Sequence, residues 1–170
     1  MKKSLKSVIA IIVVFGVGLF SYSSYSNRLA TNVGGDYPSY QTLEETKQRV
    51  DEVVIVNVKK VNPSFIREEK ELKGKKLVET DSEVTVKEVK KGNLSIGNEI
   101  IIKQDGGEIN GKKQVWENTT YLQPGKTYLL NLIKLQNGKY AAFNPIDGVL
   151  QIDNGKVKFK DKEYDVNSIK

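Results

Sequence analysis

Apolar positions along this chain fall in short alternating runs, interrupted every few residues by Gly, Asn or Pro. The stretch 82–107, SEVTVKEVKKGNLSIGNEIIIKQDGG, carries the pattern most fully. Val84 and Val86 alternate with Thr85 and Lys87, the period-two signature of a strand with one face buried. The phase then slips: Glu88 takes an apolar slot and Val89 comes one position late. That slip predicts a β-bulge, which sharpens twist as small barrels require. Lys91-Gly92-Asn93 and Gly97-Asn98 break the run before Ile100, Ile101 and Ile102. Three β-branched residues in succession point to alternate faces and predict a strand covered on both. Gly106 and Gly107 predict a closing turn at positive φ.

Upstream, Thr42-Leu43-Glu44-Glu45 has the spacing of a capping box and predicts a short helix. Capping and surface solvation account for Glu44, Glu45, Asp51 and Glu52 better than a catalytic carboxylate pair does. In 53–61, VVIVNVKKV, Val54, Val56 and Val58 share one strand face while Val53, Ile55, Asn57 and Lys59 share the other. The run 63–76, PSFIREEKELKGKK, mixes both charge signs. Its interleaved glutamates predict a solvated excursion between strands, with a basic finger for a polyanion as the other reading. Downstream, Asn110-Gly111, Asn137-Gly138 and Asn154-Gly155 signal hairpin turns. A turn at 122–126 feeds TYLLNLIKL (127–135), the most apolar strand. Val157 and Phe159 alternate with Lys156, Lys158 and Lys160, a lysine-guarded edge or an anionic-ligand face. About eight short strands and one helix make the fold mostly β: a small antiparallel OB-like β-barrel with one short leading helix.

The N-terminus is of another kind. Met1–Ser7 carries three lysines, and residues 8–20 (VIAIIVVFGVGLF) are apolar without a break. A basic region followed by an apolar one is the layout of an export signal. At 13 residues it is short for a spanning helix, which needs ~20. Residues 1–25 therefore read as a signal peptide or membrane anchor, with membrane contact through 8–20. Residues 26–40 read as a flexible tether and 41–170 as an extracytoplasmic barrel domain. The chain is then single-pass with its C-terminal domain outside, or secreted if the signal is cleaved. Tyr37 and Tyr40, flanking Pro38, are candidates to dock onto the domain.

Composition removes most catalytic machinery. Cysteine and histidine are absent, so no disulfide, thiol nucleophile, Cys/His zinc site or histidine base is possible. Three of the 27 basic residues, Lys2, Lys3 and Lys6, sit in the leader, and no acidic residue precedes Asp36. Beyond the leader the formal +6 falls to +3, which weakens a nucleic-acid reading. No nucleophile elbow, Ser-x-x-Lys, Walker loop or dinucleotide fingerprint occurs. Asp105-Gly106-Gly107 and Asp153-Asn154-Gly155 read as turns rather than calcium loops. No catalytic, cofactor-binding or metal-ligating residue stands out.

The runs YPSYQTLEETKQRVDEVVIVNV (37–58), VTVKEVKKGNLSIGNEIIIKQDGG (84–107) and LQPGKTYLLNLIKL (122–135) resemble small exported proteins of Gram-positive bacilli, membrane-anchored or secreted. The resemblance implies an OB-like β-barrel behind an N-terminal membrane segment or signal, and it supplies no catalytic residue. The Pro-Gly-Lys-x-Tyr-Leu-Leu step is also similar to the strand entry of netrin-like barrels. The functional expectation is a binding module for a partner protein or a cell-wall polymer. Its contact surface is expected near Trp116, Tyr121 and Tyr128. Trp116, the only tryptophan, either packs into the core or stacks on a sugar or base. The alternatives are a polyanion or single-strand nucleic-acid binder and a carboxylate-dependent cell-wall hydrolase.

Overall fold

The computed structural model describes residues 37–69 and 75–169. The expected signal or anchor at 1–25, its apolar run at 8–20 and tether residues 26–36 lie outside the described residues. Among the described residues no helix is long and apolar enough to cross a membrane.

The leading helix, α1 (Leu43–Gln48), forms where the capping signal places it. Thr42 Oγ1 accepts from Glu45 N at 3.2 Å, and Glu45 Oε2 reaches back to Gln41 N at 2.9 Å. At its exit Lys91 Nζ donates to Lys47 O (2.8 Å) and Val50 O (2.6 Å), satisfying carbonyls that a helix end leaves open.

Eleven strands follow among the described residues: β1 (Glu52–Val61), β2 (Phe65–Glu69), β3 (Lys75–Lys91), β4 (Glu99–Asp105), β5 (Gly107–Ile109), β6 (Lys112–Gln114), β7 (Thr127–Lys134), β8 (Tyr140–Ala142), β9 (Val149–Gln151), β10 (Lys156–Phe159) and β11 (Lys162–Asp165). β1, β3, β4, β8 and β7 pair in that order and β7 returns to β1, closing a five-stranded barrel. The expectation of an antiparallel barrel needs one correction. The β4–β8 seam is parallel, through Ile102↔Tyr140 and Lys103↔Ala141. A closed ring with an odd number of strands cannot be antiparallel at every seam, so one parallel pair is unavoidable.

The bulge appears where the phase slips. Ile55 pairs with Glu88 but Val56 pairs with Val86, leaving Lys87 unopposed. The mixed-sign run is no simple excursion: its first part forms β2, paired with β3 from Phe65↔Glu79 to Glu69↔Lys75. Alternation then sorts the apolar residues into two cores. Val54, Val56, Val58, Val84, Val86, Ile102, Tyr128, Leu130 and Leu132 fill the barrel. Val53, Ile55 and Leu129 point outward and are covered by Leu43 and Val50 and by Val157, Phe159, Val166 and Ile169. The helix and the C-terminal hairpin thus cover the outside of β1 and β7. Among the described residues, the outside of β3, β4 and β8 receives no such second core. Ile101, expected to be covered, lies on this face and is 39% exposed.

Candidate functional site

Register puts charge on the bare face. Glu79 lies directly opposite Asp105 across the β3–β4 seam, and Asp81 opposite Lys103. Two carboxylates in direct cross-strand opposition repel one another. Three cations resolve the conflict. Arg67 Nε stands 2.8 Å from Glu79 Oε2 and its Nη2 3.8 Å from Asp105 Oδ1. Lys103 Nζ is 2.9 Å from Asp105 Oδ1 and 3.8 Å from Glu79 Oε2. Lys139 Nζ is 2.6 Å from Asp81 Oδ2 and 3.8 Å from Glu79 Oε1. Glu79, its side chain only 5% exposed, is the hub of this network. Lys139's hydrogen bond to Asp81 raises its pKa above the ordinary lysine value, burial pulling the other way. Its ammonium also lies 5.7 Å from the centroid of the Phe65 ring, which is 39% exposed. Ile101 extends the apolar rim of the face, and exposed Ile133, at the end of β7, adjoins it across the seam from Ala141.

A small pocket of about 60 Å3 opens beside the network, over the parallel seam, lined among others by Lys103, Asp105, Ala141, Trp116, Thr119 and Tyr37. Its overhang is built by local rules. Thr119 N donates to Trp116 O at 3.3 Å, closing a turn in which Asn118 takes φ +59°. Positive φ at the third turn residue favours Gly or Asn. Tyr121 staples this turn to the barrel: its hydroxyl accepts from Trp116 N (3.1 Å) and donates to Asp105 O (3.0 Å). Gly106 is needed beneath it, because a Cβ there would collide with the Tyr121 hydroxyl and lie 2.7 Å from Gln114 O.

The segment 37–40 forms the remaining wall. Tyr37 meets Trp116 edge-on at 6.1 Å and Tyr40 stacks on Phe143 at 5.9 Å. Asn144 Nδ2 donates to Pro38 O and Ser39 Oγ to Asp147 Oδ2, each at 3.0 Å. The last four residues assigned to the flexible tether therefore belong to the folded domain. Burial, and then the nearby Asp105 charge, raises the Tyr37 pKa. Burial likewise raises that of Tyr121, against the opposing hydrogen bond from Trp116 N–H. Thr119 Oγ1 is buried in this pocket wall without a hydrogen-bond partner.

Of the three residues expected to form a contact surface, Trp116 and Tyr121 come together here. Tyr128 does not: it is 0% exposed inside the barrel, on the same side of β7 as Leu130 and Leu132, and burial raises its pKa. Glu79, Asp81, Lys103, Lys139 and Thr119 carried no functional expectation; Phe65 and Arg67 fell in the run weighed as a polyanion finger, and Asp105 in a turn weighed against a calcium loop. The available signal was Glu79 and Asp81 alternating with Val78, Thr80 and Ser82, a strand pattern inside a charged run.

Two adjacent carboxylates, Asp51 and Glu52, line a larger cleft of about 490 Å3 beside the start of β1. Both hold backbone: Asp51 Oδ2 accepts from Lys134 N at 2.8 Å, and Glu52 accepts from Asn93 N at 2.9 Å and Leu94 N at 3.2 Å. Among the described residues no group of three or more acidic side chains is placed to hold a metal ion. Compared with protein families, curated proteins and solved structures, the chain matches none of them.

Proposed function

We propose that this chain is a non-catalytic binding module, an OB-like barrel carried beyond the membrane by its N-terminal segment as an anchored or secreted protein. Its ligand contacts the outer face of β3, β4 and β8. The observation that carries the reading is the uneven covering of the barrel: β1 and most of β7 are covered by a second core, while this face carries Phe65 and Ile101 around a half-buried ionic network. The strand order β1-β3-β4-β8-β7 with a parallel β4–β8 closure supports the OB-like assignment. OB barrels bind ligands on the face of their second and third strands, between the loops that follow the first and fourth. Here those strands are β3 and β4. Phe65 and Arg67 come from the first connection and Lys139 from the other.

The network also favours the kind of ligand. Arg67, Lys103 and Lys139 are matched by Glu79, Asp81 and Asp105, so the face offers no surplus positive charge for a polyanion. A neutral or mixed-charge ligand suits it better. Hydrolysis finds less support, because the adjacent carboxylates Asp51 and Glu52 are committed to backbone N–H groups.

Site-specific photo-crosslinking of the full chain, in cells that make it, tests the proposal. Probes at positions 65 and 101 are expected to form adducts, and a probe at 158, on the exposed side of β10, is not. Adducts from 158 alone, or equal labelling everywhere, would refute the assignment of the face.

A further inference from the structure

We infer that the pocket between Trp116 and the β4–β8 seam takes the acetamido group of an N-acetylated amino sugar in a neutral glycan. The inference rests on the outer β3–β4–β8 face being the ligand face, and it names the ligand class for it.

Size comes first. About 60 Å3 holds roughly four to six non-hydrogen atoms, at ~10–15 Å3 each. An acetamido group has four. Polarity follows the same division as the group itself. Trp116, Ala141 and Pro145 contribute apolar surface suited to a methyl. Thr119, Lys103 and Asp105 contribute polar groups to the same lining. An amide brings one acceptor and one donor. The Thr119 hydroxyl, buried and unpartnered, can donate to the carbonyl, and the Asp105 carboxylate can accept the N–H.

Charged groups fit less well. Lys103 and Asp105 already neutralise one another at 2.9 Å, so an entering ammonium or carboxylate would be desolvated beside a like charge with its opposite already paired, a cost that a neutral amide does not meet. A purely apolar group would leave the Thr119 hydroxyl buried without a partner. The surroundings favour a sugar over an acetylated side chain. The pocket lies beside the network, in which Asp81 Oδ1 is also buried without a hydrogen-bond partner. Two aromatic rings adjoin the network: Trp116 lines the pocket with Lys103 and Asp105, and Phe65 lies under Lys139. A hydroxyl-rich ring with apolar faces uses both features. A lone linear side chain uses neither.

Trp116 is the only tryptophan, so its emission reports directly on the pocket. The full chain is titrated with triacetylchitotriose, with cellotriose, which carries hydroxyls where the acetamido groups stand, and with an Nε-acetyl-lysine peptide. A saturable shift with triacetylchitotriose, at least tenfold weaker with the other two, is expected. Thr119→Val is expected to weaken the trisaccharide at least tenfold while keeping the urea midpoint, and Ala141→Leu, which fills the pocket, to do the same. Equal response to cellotriose, unchanged binding by folded Thr119→Val, or tighter binding of the acetyl-lysine peptide would each overturn the inference. No response to any probe, with adducts still forming at positions 65 and 101, would overturn the acetamido pocket alone. No response and no adducts there would overturn both it and the ligand face.

Discussion

Replacing Tyr121 by Phe removes one oxygen and two hydrogen bonds, and its effect can be worked from the geometry. The hydroxyl accepts from Trp116 N at 3.1 Å and donates to Asp105 O at 3.0 Å. Both partners are main-chain groups in partly buried surroundings, and each loses its bond without gaining another from Phe. At about 0.5–1.5 kcal/mol net per bond, the expected loss is about 1–3 kcal/mol. For a domain of this size that lowers Tm by roughly 3–15 °C. The same geometry predicts a coupling. Gly106 has φ +106°, and a Cβ there would collide with the Tyr121 hydroxyl while still crowding Gln114 O. Gly106→Ala should therefore cost less in the Tyr121→Phe background than in the wild type, with a coupling of at least ~0.5 kcal/mol. Urea unfolding followed by Trp116 emission and far-UV circular dichroism measures all four corners of the cycle. A Tyr121→Phe effect below about 0.5 kcal/mol, or strict additivity with Gly106→Ala, would show that the hydroxyl does not staple the turn to the barrel.

Glu52→Ala strips the partner from Asn93 N and Leu94 N and is expected to cost about 2–4 kcal/mol in urea unfolding; a loss under 1 kcal/mol would refute the assigned role. Tyr37, Tyr121, Tyr128 and Lys139 all have folded pKa values raised above their ordinary 10.0 or 10.5. A raised folded value means that the stabilisation is complete below the ordinary value and lost as pH climbs through the folded one. The urea midpoint should therefore fall beyond pH about 10, and less steeply in Lys139→Met; a midpoint that stays level up to pH about 11.5 contradicts the shifts. With its outer-face cations already paired, the described domain should show no oligo-dT binding at about 0.1 M salt, and tight, salt-sensitive binding would revive the polyanion reading.

Much of the fold was legible because alternation states which face each residue takes. Val54, Val56 and Val58 enter the barrel and Val53 and Ile55 the second core, as their parity requires. The slip at Glu88 marks a real bulge, and Asn110-Gly111 a real hairpin turn with both residues at positive φ. Parity also held the answer for Tyr128, which shares its side of β7 with Leu130 and Leu132. An aromatic residue on a strand reads as easily for a surface as for a core. Ile101 misled for the opposite reason: three isoleucines in a row promise two covered faces, but Ile101 is left 39% exposed among the described residues. The ionic site was hidden because its members are 72 positions apart, from Arg67 to Lys139, and only the closure of the barrel brings them within a few ångströms. Nor does charge in a sequence reveal whether a carboxylate is solvated, like Glu99, or a nearly buried hub, like Glu79.

The seams of the barrel are unequal in length. Eight residue pairs join β1 to β3, seven join β3 to β4 and six join β1 to β7. The three-residue strand β8 is held by three pairs on one side and two on the other. Closing the ring also needs contacts distant in the chain, which form late because their loop entropy must be met first. The barrel is thus a long, continuous staircase of pairing with one narrow latch, and local opening concentrates at the latch. Amides of β8 should exchange with solvent ahead of those in β1 and β3. The latch lies beneath the candidate pocket, with Lys103 and Ala141 paired across it. Anything seated there touches both β4 and β8, so occupancy would slow the breathing of the whole barrel by holding its shortest seam shut.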